Sequence, residues 1–277
     1  MPDLASVTQR AAGAAHRLAQ GIDRPAVLLA GGAGPLGSAL LERFSGSGRW
    51  GHVWVLADPT QGELQSAVRN VSALAMDATA NSLGWEAASP APLAGLIVFD
   101  QPRLYNERER AFWMPQPPQL LAVATQMKAH GVRNLAVVVP HQQALLPDAL
   151  KRGLASLDEQ AVQGLGFERL LLVRRAPALP GGRAESGAKA LAAWMLGQLR
   201  FMVPQREQPV RSVKLAAFVE AVWAQWLGNP ALSAGTRVVP PEALWEAATA
   251  PNMDDAARGW LKAPIDVSAG RCRQNLV

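Results

Sequence analysis

Ala26-Val-Leu-Leu-Ala-Gly-Gly-Ala-Gly-Pro-Leu-Gly-Ser-Ala-Leu-Leu41 decides the fold of this chain. Residues 26–30 are an unbroken apolar run of strand length, as expected of a strand buried on both faces. They lead into Gly31, Gly34 and Gly37, and a helical pattern follows from about Pro35 to Phe44. Glycine, which has no Cβ, permits a sharp turn and lets a ligand approach the backbone. The helix N-terminus behind it offers free N–H groups and the positive end of a dipole. The expectation is a seat for a phosphate-bearing ligand built from Gly31, Gly34, Pro35, Leu36 and Gly37. Gly32 and Gly37 also enclose four residues, but a triphosphate-binding loop needs lysine in the next slot and Ser38 stands there.

Outward from this stretch, strands and helices alternate. Strands are expected at 26–30, 53–57, 72–76, 96–99, 135–139 and 170–173. Helices are expected at 119–130, from about 148 to 163, and at 185–203, 214–227 and 241–249. A βα alternation with short apolar strands implies a doubly wound α/β Rossmann fold, a parallel sheet with helices on both faces. Residues 1–24 carry Leu4, Val7, Ala11, Ala14 and Leu18 at helical spacing and read as an added N-terminal helix. Residues 25–277 read as one domain, with a small helical C-terminal cap over about 176–277.

Two carboxylates strengthen the nucleotide reading. Asp58 stands at the end of the second strand, where a carboxylate accepts both ribose hydroxyls of an adenosine. A 2′-phosphate would be repelled there, which favours NAD over NADP. Asp77 ends the third strand, within reach of an adenine amino group.

Composition limits the remaining possibilities. With 277 residues, 49% of them hydrophobic, the chain can bury a large core. The net charge of +5 is scattered rather than striped, which argues against nucleic acid. Cys272 is the single cysteine, excluding an intrachain disulfide and a thiolate metal site, and the four histidines form no helical metal pair. No metal is expected. The apolar run 215–227 is interrupted by Glu220 and Gln225 and is too short to span a membrane, so a cytoplasmic location is expected.

The glycine turn, the strand pattern, Leu165-Gly-Phe-Glu-Arg-Leu-Leu-Leu-Val-Arg174 and Val210-Arg-Ser-Val-Lys-Leu-Ala-Ala-Phe-Val219 together resemble the atypical short-chain dehydrogenase/reductase superfamily. The resemblance is to small NAD(P)-binding members similar to the Tat-interacting oxidoreductase-like proteins, over roughly residues 25 to 225. It implies a pyrophosphate site at Gly31, Gly34 and Gly37. Active members carry a serine or threonine after strand five, then a tyrosine four residues before a lysine. Here strand five ends in Val139-Pro140-His141, the helix from Asp148 has no tyrosine, and the arginine–proline pair after strand six is Arg174-Arg175. Tyr105 is the only tyrosine, and four residues later stands Glu109. Weak substitutes for the missing acid/base group are His141, Asp148 and Lys151.

The loop 101–118 carries Tyr105, Phe112, Trp113 and Met114 among Arg103, Arg108 and Arg110. It reads as a lid, as a surface for a protein partner, or as a loop that buries its own aromatics. A homo-oligomer or partner contact through this loop or the N-terminal helix is a further expectation. Three functions stay open: a dinucleotide-binding sensor, scaffold or assembly subunit without reductase machinery; an NAD-dependent oxidoreductase with a non-standard acid/base residue; and an apo scaffold.

Overall fold

A computed structural model of the chain describes residues 24–58, 70–77, 82–83, 91–100, 107–140, 157–175, 210–229 and 231–263. Its strands are β1 (Ala26–Ala30), β2 (His52–Ala57), β3 (Val71–Asp77), β4 (Ser82–Leu83), β5 (Ala94–Val98), β6 (Asn134–Pro140), β7 (Arg169–Arg175) and β8 (Gly235–Val239). Its α-helices are α1 (Gly34–Gly46), α2 (Glu107–Arg110), α3 (Leu120–Ala129), α4 (Leu157–Gly164), α5 (Ser212–Gly228), α6 (Pro241–Thr249) and α7 (Met253–Lys262).

The strands form one sheet in the order β4-β3-β2-β1-β5-β6-β7-β8. Every neighbouring pair is parallel except β3 with the two-residue β4. The order reverses direction beside β1, so the switch point lies between β1 and β5 at the end of the glycine turn.

The apolar strands split their side chains between two cores, because successive residues of a strand point to opposite faces. Val27 and Leu29 of β1 join Val53, Val55, Ala136, Val138, Leu171 and Val173 against α1, α5, α6 and α7. Ala26, Leu28 and Ala30 join Trp54, Leu56, Leu135, Val137, Leu170 and Leu172 against α3 and α4. Burial on both faces leaves no room for polar alternation, which is why these runs read as continuously apolar.

Several expectations change at their edges or beyond. The region after residue 176 was expected to be helical; its described residues also contain β8, which pairs along β7 from Arg169↔Gly235 to Val173↔Val239. In β8 only Arg237 and Val239 are buried, so its sequence carries too few apolar residues to announce a strand. The helix α7 was likewise not foreseen. Of the helix expected from 148 to 163, the described part begins at Leu157. The helices expected at 1–24 and 185–203 lie outside the described residues. Trp223 and Trp226 are fully buried on α5 and meet edge to face at 5.9 Å, anchoring that helix on the sheet. Among the described residues, no helix is long and apolar enough to cross a membrane.

His52, at the start of β2, gives a pH dependence. Its ring packs at a tilt against Trp54 with centroids 4.4 Å apart, and its Nε2 is buried without a hydrogen-bond partner among the described residues. Burial pushes the His52 imidazole below its ordinary value of 6.5. The unfolded chain therefore holds this proton more tightly, so folding stability falls as pH drops through and below 6.5. The thermal midpoint is expected to fall between pH 7.5 and 5.5, as about those limits bracket an ordinary histidine, and to fall less in His52→Gln. An equal fall in both proteins would assign the effect to other groups.

Candidate nucleotide site

The first turn of α1 is an uncapped helix start. Its N-cap is Ala33, which has no side chain able to accept a hydrogen bond, and the first turn contains no acidic residue. Gly34 and Leu36 therefore present backbone N–H groups at the first and third helical positions, while Pro35 between them has no N–H to present. Gly34 adopts a φ of 75°, a conformation that favours glycine. A Cβ on Gly37 would lie 2.3 Å from the carbonyl oxygen of Gly31, so glycine at 37 lets α1 pack directly on the end of β1.

Both donors of this turn are in use within the chain. Gly34 N donates to Glu109 Oε2 at 3.0 Å, and the Ser38 hydroxyl donates to Glu109 Oε1 at 3.3 Å. Leu36 N donates to Asp100 Oδ2 at 2.7 Å. Glu109 comes from α2 and is 2% exposed, and Asp100 follows the end of β5. On its other oxygen Asp100 faces Arg175 Nη2 of β7 at 3.8 Å. Charge-assisted bonds of this kind are the strong ones.

The segment that carries Glu109 crosses the carboxyl ends of β1 and β2. Phe112 forms an antiparallel bridge with Ala57. Asp58 N donates to the Ala111 carbonyl at 2.9 Å, and Trp113 N donates to the Leu56 carbonyl at 2.9 Å. The Phe112 ring lies so close to Gly32 that a Cβ there would be 3.2 Å from it. Trp113 is buried in the core beneath, so the described part of this loop folds inward with its tryptophan, as one of the readings of 101–118 expected.

The other expected site residues divide clearly. Asp58 follows β2 beside this segment, at the strand end where it was expected. Asp77 ends β3 and pairs through its backbone with Ser82, and its side chain is outside the described residues. His141, Asp148 and Lys151 also lie outside the described residues. Arg174 is bound by Glu159 of α4 at 2.7 Å, a structural pair buried between β7 and that helix. Among the described residues, no group of three or more histidine, cysteine, aspartate or glutamate residues could hold a metal.

Glu109 and Asp100 are the site residues that the sequence pattern did not single out for this turn. The available signal was indirect: a helix opening with Ala33-Gly34-Pro35 has no local cap and needs an acceptor from elsewhere. A cavity of about 740 Å³ opens at the opposite, amino-terminal end of the strands, beside Pro25, Asn134 and Arg169. Its position sets it apart from the turn, where ligands of this fold class bind.

A parallel sheet of this order, with a glycine turn opening the helix after its central strand, defines a Rossmann-type α/β protein. Two solved structures are similar to it. One is a candidate epimerase from Bacteroides thetaiotaomicron, 14% identical, covering 64% of this chain and 92% of its own, with a TM-score of 0.30. The other is the Bordetella bronchiseptica enzyme WbmG in complex with NAD, 14% identical, covering 84% of each chain, with a TM-score of 0.40. Similarity this distant carries no statement about ligand or reaction. No protein-family model matches the chain, and no curated protein matches it.

Proposed function

We propose that the chain is a dinucleotide-binding Rossmann protein without tyrosine–lysine reductase machinery, serving as a sensor, scaffold or assembly subunit. One observation carries this reading: the first turn of α1 is an anion seat, and carboxylate oxygens occupy its two donors at 3.0 and 2.7 Å. Those carboxylates are stand-ins for phosphate oxygens in charge and in acceptor chemistry. The N–H groups of Gly34 and Leu36 would hold the pyrophosphate, and the Asp58 carboxylate the adenosine ribose. When bound, a nicotinamide dinucleotide supplies a ring that can carry hydride. Asp58 favours NAD over NADP, because a 2′-phosphate would meet its charge.

The absence of tyrosine beyond position 105 supports a non-catalytic role. A protein partner or a second copy would then read the bound state, through residues 1–24 or the 101–118 region. Calorimetric titration of NAD, NADH, NADP and NADPH tests the reading. The NAD pair is expected to bind at least about tenfold more tightly than the NADP pair, and Gly34→Asp is expected to abolish binding of all four. Equal affinity for both pairs would remove Asp58 from its role. Turnover of NADH with a panel of carbonyl compounds, lost in His141→Ala, would overturn the non-catalytic assignment.

A further inference from the structure

We infer that segment 109–115 is an internal competitor of the dinucleotide: Glu109, together with Asp100, occupies the phosphate seat of α1, and the segment must lift for the nucleotide to bind. The inference rests on the reading of that seat as a dinucleotide site. It adds a regulation of the same site by the chain itself.

Four observations carry it. The seat has two donors in its first turn, Gly34 N and Leu36 N, and each already holds a carboxylate oxygen. A diphosphate brought to the same N–H groups would displace those oxygens or lie against their charges, so occupancy by both is excluded. Next, the acceptors reach across 75 and 64 positions of chain, whereas a cap serving only helix stability needs a serine or aspartate at position 33. The fold has left the local cap out and filled the seat with carboxylates from distant positions instead.

The attachment of the segment to β2 is also separate from the ladders between the strands of the sheet. The β1–β2 ladder ends at Leu29↔Val55, and the segment adds its bonds beyond that end, at Leu56, Ala57 and Asp58. Its release therefore opens no hydrogen bond between neighbouring strands. Finally, the segment lies over the adenosine half of the expected site. Ala111 accepts from the N–H of Asp58, and Pro115 sits where a Cβ on Gly31 would be 3.4 Å from its Cδ. One movement would thus uncover Gly34 N and the end of β2 together, leaving the nucleotide to displace Asp100 from Leu36 N.

The coupling is reciprocal: whatever weakens the segment's hold tightens the nucleotide, and the nucleotide loosens the segment. Glu109→Gln tests it, since the amide keeps an acceptor for Gly34 N while removing the charge. NAD is expected to bind this variant about tenfold more tightly than wild type, as a charge-assisted bond gives way to a neutral one. The second measurement uses wild type alone. Hydrogen exchange on saturation with NAD is expected to speed up at the amides of Trp113 and Asp58, although ligand binding ordinarily slows exchange around a site.

Equal NAD affinity in wild type and Glu109→Gln, with slower exchange at Trp113, would overturn the competitor while leaving the dinucleotide site standing. Failure of both proteins to bind any of the four dinucleotides would remove the site, and the competitor with it. Should the variant not fold, the wild-type exchange at Trp113 decides alone.

Discussion

Gly31→Ala is expected to lose about 3–5 kcal/mol of folding stability, seen as a lower urea midpoint at unchanged slope. Two costs add at this position. Gly31 has a φ of 91°, where an L side chain is strained. An added Cβ would also stand 2.1 Å from the carbonyl oxygen of Val98 and 3.1 Å from its carbon, far inside contact distance, with Pro115 Cδ at 3.4 Å. Val98 ends β5, the direct neighbour of β1 at the centre of the sheet. Neither strand can shift without opening both cores, so the clash has no cheap release. A loss below about 1 kcal/mol would mean that the turn relaxes, and the rigid description of the β1–α1 junction would fall. The result also bears on function. Gly31 and Gly37 are required by the backbone around them, so their presence is explained without a ligand. The part of the motif that speaks for one is the pair of donors on Gly34 and Leu36.

Glu220→Ala is expected to lose about 3 kcal/mol, and Glu220→Gln about 1 kcal/mol. Glu220 is fully buried in the middle of α5 and accepts from Trp50 Nε1 at 3.2 Å, Arg43 Nε at 3.3 Å and Arg49 Nη1 at 3.3 Å. Arg49 extends the network to α7 through both oxygens of Asp254, at 2.9 and 2.8 Å. The hydrogen bond from Arg49 holds the Asp254 carboxyl below its ordinary range. Alanine leaves the buried Trp50 indole N–H without an acceptor and opens a cavity beside it, which are the main costs. The arginines contribute less, since their side chains are 42% and 36% exposed and can turn to water. Glutamine keeps an acceptor for Trp50, which is why it should retain most of the stability. Equal losses for both variants in urea titration would place the energy in the charge rather than in the indole hydrogen bond.

The central strands were legible because their cause is local. A strand buried on both faces must be apolar at every position, and β1 was expected at its observed bounds, Ala26–Ala30. The ends of α1 and β2 moved by one or two residues, from 35–44 to Gly34–Gly46 and from 53–57 to His52–Ala57. Such ends are fixed by hydrogen bonds to neighbours rather than by side-chain pattern. β8 was missed for a related reason: an edge strand of a covered sheet needs few buried residues, so its alternation is weak.

By itself, then, the sequence determined the doubly wound sheet, the glycine turn after its central strand, and a single tyrosine, Tyr105. These follow from apolar runs, from backbone sterics at Gly31 and Gly37, and from composition. Only the tertiary structure decided what fills the turn and what ties α5 to its neighbours. Glu109 reads in the chain as one charge in a polar loop, and Glu220 as an interruption of an apolar run. Each acquires its role from donors tens of residues away or more: Gly34 N for the first, Trp50 Nε1 for the second. A carboxylate is stable in such a buried place only where folding delivers those donors to it, and no local pattern records where they come from.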